Sequence, residues 1–369
     1  MKVPRSPSVT VDRITHHRND SEPPVLASRR VEAMAMDDSL EQRSIDREDR
    51  ELQRATRSFA RESAGRSWWY VGSTLAMLGC ALAGAAFAPW WPVRLAASML
   101  GALLFVRAFI LYHDFMHGAI LPGSPLARAV FYTYGALNLT PPRSWRDSHN
   151  FHHANIGRIP ASNIGAFPLM TTEMWRSGSR MQRMAYRVTR HPVTILCAYV
   201  TIFFFSVTLL SFLRRPSRHW DSALSLLAHG TVLAALWVFA GFDAAFFGLL
   251  LPMTIAAALG GYLFYAQHSF PGMLILPDAE WTAYRASLVS SSYLRLGPVL
   301  RWFTGNIGFH HVHHLNSLIP FYRLPQAMAS IPELQHPTVT TLKPRDVVAC
   351  FRANLWDDSS GRMVGYRDV

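Results

Sequence analysis

A helix needs about 20 consecutive apolar residues to cross a bilayer, and five long apolar runs dominate this chain of 369 residues: Ser67 to Ala88, Leu95 to Leu111, Val193 to Leu213, Ser222 to Ala240 and Ala244 to Tyr265. Only 16% of the residues are charged, against roughly 25% in soluble domains. The expected fold is therefore an all-α integral membrane protein. Flanking charge decides which runs cross, because cytoplasmic flanks are rich in arginine and lysine and external ones are poor. The APWWP and GFD connections carry no basic residue and suit external turns, whereas Val193 to Leu213 has Arg183, Arg187 and Arg190 before it and Arg214, Arg215 and Arg218 after it. Both of its ends read as cytoplasmic. Four transmembrane helices follow, with Val193 to Leu213 dipping in and returning, or lying buried against the others. The apolar segment Leu126 to Thr140 reads as a second partial insertion. Such non-spanning segments are tolerated where protein covers their backbone.

Residues 1–66 form a polar tail with no signal-peptide core. Its first part reads as disordered, and Asp38 to Ala64 as a helix with a thin apolar stripe of Leu40, Ile45, Leu52 and Phe59, lying on the membrane surface or solvated. Residues 67–369 form the membrane domain. The three cysteines, Cys80, Cys197 and Cys350, are too far apart to suggest a disulfide framework or a CxxC site. The net charge of +12 suits anionic lipid headgroups or an acidic partner protein, besides the positive-inside bias; nucleic acid is not an expected partner.

The topology places residues 112–192 and 266–369 on one side as a helical cytoplasmic cap, and three histidine clusters fall within these two segments. They are HDFMH, with His113 and His117; HNFHH, with His149, His152 and His153; and HHVHH, with His310, His313 and His314. Spacings of i, i+3 and i+4 bring side chains to one face of a helix. His268, just past the last crossing, is a plausible ninth ligand, while His311 points away from its neighbours and suits an outer position. His191, His219, His229 and His336 lack partners at ligand spacing and read as structural. Imidazole suits zinc, copper, iron and nickel, and no thiolate stands at the boxes to select zinc or copper(I). Eight or nine histidines exceed the needs of one ion, so the simplest reading is a dinuclear centre. The HExxH pattern of hydrolytic zinc sites is absent, as are the paired Glu-x-x-His repeats of carboxylate di-iron bundles. An all-histidine pair of redox metals at a membrane face suggests dioxygen chemistry on a lipid. A metal transporter or sensor is the non-enzymatic alternative, but it would need polar residues along the crossings, and the runs contain few.

From about Ser67 onward, HDxxH, HxxHH and HxxHH, with a QH after the last crossing, resemble the integral-membrane fatty acid desaturases. FYAQHSF, WFTGNIGFHHVHHLNSLIPFYRLP and NLWDDSSGRMVGY look like the bacterial acyl-lipid desaturases of the delta-12 and delta-5 type. The resemblance implies two iron ions that activate dioxygen and a cis double bond introduced into an acyl chain. It also implies His113, His117, His149, His152, His153, His310, His313 and His314 as ligands, with His268 as the extra one. Asp114, Asp147, Asn306 and His311 are candidates for the outer layer that orients metal-bound imidazoles. The first box departs from many desaturases at Phe115 and Met116, and HDxMHG is also similar to carotenoid ketolases, so a lipid or carotenoid hydroxylase or ketolase is the alternative enzyme. The chain has no HPGG haem-binding segment, cysteine cluster or GxGxxG, so the electrons are expected from an external ferredoxin-like or cytochrome-like donor. The expected location is the cytoplasmic membrane of a bacterium, with the boxes on the cytoplasmic side. Arg107, within the second run, is expected to pair inside the bundle or reach the interface.

Overall fold

The structure, a computed structural model, describes residues 47–369. Among the described residues, four helices are long and apolar enough to cross a membrane: Ala64–Phe87, Trp91–His117, Trp220–Ala240 and Phe242–Ala266. They are called the first to fourth crossings below. The remaining apolar run is divided. Pro192–Leu196 is a short helix, and Tyr199–Arg214 a second one of 16 residues. Even at the α-helical rise of 1.5 Å per residue the latter would extend at most about 24 Å, short of a hydrocarbon core of about 30 Å. It packs against the third and fourth crossings and is wound as a π-helix over Tyr199–Leu210.

Local chemistry sets the boundaries of the crossings. Pro92 opens the second crossing, and Gly118, in the left-handed region at φ 79°, ends it directly after His117. Gly241, at φ 89°, breaks the chain between the third and fourth. Inside the fourth, Pro252 has no N–H to donate, and the π-wound turn Phe246–Leu250 immediately before it absorbs the irregularity. The first, second and fourth crossings pack together, and the helices of the cap gather at the ends of the second and fourth that carry His117 and Ala266.

Arg107 lies in the second crossing and is 2% exposed. Its Nε donates to Thr74 Oγ1 at 3.1 Å, another guanidinium nitrogen donates to the Trp302 carbonyl, and the group sits 3.9 Å from the centroid of the Trp302 ring. It is thus satisfied inside the bundle by a hydroxyl, a carbonyl and an aromatic face. Leu126 to Thr140 contains a helix of 13 residues, Pro125–Leu137, opened by Ser124 accepting from Ala127 N–H at 3.2 Å. That length cannot span a bilayer. The helix buries Ala127, Phe131 and Tyr134 against the second and third crossings.

The expected helix from Asp38 to Ala64 is interrupted. Residues 48–57 are helical, a turn follows at 58–60, and the first crossing begins at Ala64; Asp38 to Asp46, with Leu40 and Ile45, lie outside the described residues. The segment lies against the body of the protein. Asn316 Nδ2 donates to Thr56 Oγ1 at 3.0 Å, Ser63 N–H donates to Tyr322 Oη at 2.9 Å, and both carboxylate oxygens of Glu62 accept from Leu121 N–H at 2.9 Å. A division drawn on polarity at residue 66 therefore cuts through packed structure, and the compact unit runs from Glu48 to Val369. Two small sheets complete the cap: Tyr293–Leu294 pairs in parallel with Val339–Thr340, and Leu355–Asp357 antiparallel with Arg362–Val364.

Candidate metal centre

Each histidine cluster is carried by a helix whose position is fixed from outside. The first is the last turn of the second crossing. The second lies on Pro142–Ala154, which opens on Pro142 and closes with Asn155 Nδ2 donating to the Phe151 carbonyl at 2.9 Å. The third lies on His310–Leu315, a six-residue helix too short to be stable alone. It is held by its approach: Gly305 and Asn306 both adopt positive φ (51° and 57°), and a Cβ on Gly305 would lie 2.8 Å from Ile110 Cγ2 of the second crossing. Gln267 ties the end of the fourth crossing to the same stretch, donating from Nε2 to the Ile307 carbonyl at 2.8 Å. His268 is thereby carried up to His310.

Nine imidazoles converge in two adjoining groups. His113, His117, His149, His153 and His313 offer ligand atoms all within 4.8 Å of one another, as do His152, His268 and His314. His310 joins the second group, with its Nε2 at 2.8 Å from that of His268 and 3.1 Å from that of His314. The groups meet where the His153 and His314 rings stack with centroids 4.1 Å apart.

These contacts fit ions better than hydrogen bonds. The Nε2 atoms of His268, His310 and His314 form a triangle with sides of 2.8, 3.1 and 3.2 Å. In a neutral imidazole each Nε2 carries either a proton or a lone pair. Among three such atoms at least two share a state, so one side of the triangle is repulsive without an electrophile. Nitrogens bound at roughly 2.0–2.1 Å to a common ion would sit about 2.9–3.4 Å apart, close to the spacings found. In the first group, His117 Nε2 is buried with no hydrogen-bond partner, and His153 Nε2 lies 3.2 Å from that of His149 and 3.1 Å from that of His313.

Burial keeps the rings in the form a metal needs. In the cap, His149, His152, His153, His310, His313 and His314 are held well below the usual imidazole pKa, first by desolvation and then by neighbouring imidazoles. His268 is lowered to about 4 by burial, partly offset by the Ser290 carbonyl. Neutral rings present lone pairs to a cation.

The outer layer divides. Asp114 Oδ1 lies 3.2 Å from His113 Nδ1, and its Oδ2 accepts from Phe321 N–H at 2.7 Å. Asn306 reaches no box histidine; its Nδ2 donates to the Phe321 carbonyl at 2.9 Å, so it secures the peptide that Asp114 holds. His311 turns away from both groups, with Nε2 at 3.1 Å from the Leu334 carbonyl. Asp147 reaches no box histidine: its Oδ2 pairs with Arg218 at 2.7 and 2.8 Å and lies 3.7 Å from His219 Nε2, in contact with solvent. The i, i+2 spacing to His149 sends the two side chains in different directions on the helix. A neighbour that sequence reasoning missed is Trp145, whose ring stacks on His149 at 4.4 Å and lies 5.7 Å from His113. It sits four residues before His149, and that spacing was its only signal. Of the histidines read as structural, His229 meets Tyr199 Oη at 2.6 Å and the Leu137 carbonyl at 2.8 Å.

A cavity of about 1240 Å³ reaches the metal groups, with His113 and His310 in its wall. Phe105, Phe109, Met253 and Phe264 are among its apolar lining, and Arg214, Arg215 and Arg218 line it as well.

Residues 88–342, which contain all three boxes and His268, match the family described as fatty acid desaturase. A fatty acid desaturase of Bacillus subtilis (strain 168) is 28% identical over 264 residues, covering 71% of this chain and 74% of that protein. The sn-1 oleoyl-lipid 12-desaturase of Synechocystis sp. is 25% identical over 231 residues, 61% of this chain and 64% of that protein. The chloroplastic sn-2 acyl-lipid omega-3 desaturase (ferredoxin) of Arabidopsis thaliana is 24% identical over 283 residues, 71% and 60% respectively.

Proposed function

Because the chain belongs to the fatty acid desaturase family, an integral-membrane family of oxidoreductases, we propose that its nine converging histidines hold two iron ions, and that it uses dioxygen to introduce a cis double bond into an acyl chain lying in the cavity. The observation that carries this reading is the Nε2 triangle of His268, His310 and His314 at the wall of an apolar cavity. His113, His117, His149, His153 and His313 would hold one ion, and His152, His268, His310 and His314 the other. When bound, the two irons supply dioxygen activation and the oxidising power to remove hydrogen from an unactivated methylene. One dioxygen, two electrons and two protons then convert a –CH2–CH2– unit to –CH=CH– and two waters.

The protein's own contribution is placement and exclusion. Phe105, Phe109 and Phe264 confine an extended chain without marking any carbon, so the bond position is set by the length and bend of the cavity. His113 and His310 present the metal groups to that chain, and Asp114 fixes His113 against rotation. Burial of the boxes keeps bulk water from the oxidant. The relatives' names support an acyl chain esterified to a membrane lipid, and a ferredoxin-type donor is supported by the Arabidopsis protein's name. Such a donor, ferredoxin-like or cytochrome-like, is acidic in the simplest case and would dock on the arginine-rich face, on the cytoplasmic side of the membrane. His313→Ala tests the assignment. Iron content should fall by about half or more and double-bond formation should cease, while membrane insertion persists because His313 lies outside the crossings. Full iron content with normal turnover would refute it.

A further inference from the structure

The cavity is also lined by a cationic turn that the desaturase chemistry does not use. Arg214 closes the Tyr199–Arg214 helix, and Arg215 begins the turn, where its carbonyl accepts from Arg218 N–H at 3.1 Å and His219 N–H at 2.9 Å. His219 Nδ1 lies 3.2 Å from the Ser211 carbonyl, which pins the turn to the helix. The three arginines differ in their commitments. Arg218 is neutralised by Asp147, whereas Arg214 and Arg215 are exposed and form no ion pair with any of the described residues. Both of them line the cavity.

The surroundings of the turn are those of a bilayer interface. Phe204 and Phe205 line the cavity yet are 42% and 52% exposed, so the wall opens sideways onto apolar surroundings. Trp220, 49% exposed, follows the turn, with the Arg143 guanidinium 5.1 Å from its ring. Tryptophan flanked by arginine marks the headgroup level of a membrane. A water-borne acyl carrier would instead meet a polar rim.

We propose that Arg214 and Arg215 bind the headgroup phosphate of an anionic glycerophospholipid whose acyl chain occupies the cavity. This rests on the desaturase reading and names the carrier. The chain enters sideways from the leaflet past Phe204 and Phe205, and two guanidinium forks hold the phosphodiester by charge-assisted hydrogen bonds. The phosphate then fixes the depth at which methylenes pass His113 and His310.

The test uses the full-length, iron-loaded enzyme with a reduced ferredoxin, supplied with the same acyl chain on phosphatidylglycerol, on a neutral monoglycosyl diacylglycerol or on coenzyme A. Phosphatidylglycerol should be preferred over the neutral lipid by about tenfold in kcat/KM. Arg214→Gln/Arg215→Gln should bring that ratio close to one, and Arg214→Lys/Arg215→Lys should retain most of it. A charge control, Arg176→Gln/Arg180→Gln on the cap, should keep the preference, which separates a site from attraction to a charged vesicle. Equal use of the two lipids by the wild type, an unchanged ratio in the glutamine variant, or equal loss in the charge control would each overturn the assignment. Preference for the coenzyme A ester over both lipids would also overturn it. Native mass spectrometry of lipid retained through purification reads the site without turnover. Selective retention of phosphatidylglycerol by the wild type and its loss in the glutamine variant would sustain the site even if no substrate were desaturated, a result that would refute the desaturase reading alone.

Discussion

The second and third crossings have similar hydropathy and serve opposite purposes. In its most apolar window the second is 61% buried within the protein and the third only 11%. The second carries Arg107, His113, Asp114 and His117, each anchored to another element or converging on the metal groups, so it is an internal post around which crossings and cap assemble. The third presents Leu227, Trp237, Val238 and Phe239 outward, with the last 87% exposed. Hydrophobicity identifies a helix that can enter lipid. What distinguishes a helix facing protein from one facing lipid is the polar side chains it carries inside the apolar run, since those need protein partners.

The sharpest way to break the comparison is to exchange a buried histidine in each helix. His113→Ala should lower turnover by more than about a hundredfold and reduce bound iron, since loss of an outer-layer partner alone typically costs 10–100-fold. His229→Ala in the third crossing should retain full iron, because both ring nitrogens are used by Tyr199 and Leu137. Iron analysis of the two purified variants decides the matter, and equal loss would end the distinction. A smaller effect is expected for Asp114→Asn. The amide oxygen can still accept from Phe321 N–H, but the NH2 group then faces His113 Nδ1 and cannot accept from it, so activity or iron affinity should drop about 10–100-fold. An iron titration giving the wild-type affinity would show that His113 orients itself.

Arg107 tests the post as structure, apart from the metals. Arg107→Met keeps the aliphatic bulk and strands the Thr74 hydroxyl, at about 1–3 kcal/mol for a buried group left unpaired, while the Trp302 carbonyl loses one donor and keeps Gly305 N–H at 3.2 Å. Thermal unfolding in detergent should shift downward while iron content is unchanged. A variant as stable as the wild type would mean that water reaches this site.

Much of this arrangement was legible in the sequence because its signals are periodic. Apolar runs and their flanks pointed to four crossings and two non-spanning segments. The spacing of the histidines put each box on one face of a helix, and only the topology argument could bring the boxes together. What stayed hidden has no period. Residues 48–63 are polar, yet Thr56 and Glu62 secure them to Asn316 and Leu121, contacts between parts of the chain far apart in sequence. Asp147 stands two residues from His149 in sequence, but helical rotation turns it to Arg218. Trp145 reads as one more apolar residue until the fold lays its ring on His149.

The smallest expected effect sharpens the comparison most. Truncating Leu227, Val238 or Phe239 to alanine removes apolar surface that is exposed in the isolated chain. If lipid covers that surface, the side chain leaves one hydrocarbon environment for another, and each change should stay within about 0.5 kcal/mol of the wild type in unfolding measurements, as for surface positions generally. If a second copy of the chain packs there instead, the same truncations would open a cavity at a protein interface and cost about 2–5 kcal/mol, with a concentration-dependent loss of the oligomer. The corresponding truncations in the second crossing, at Leu104 or Leu111, should show the larger cost whichever of these holds, because both side chains are already enclosed by this chain. The ratio of the two costs thus measures how much of the third crossing faces lipid.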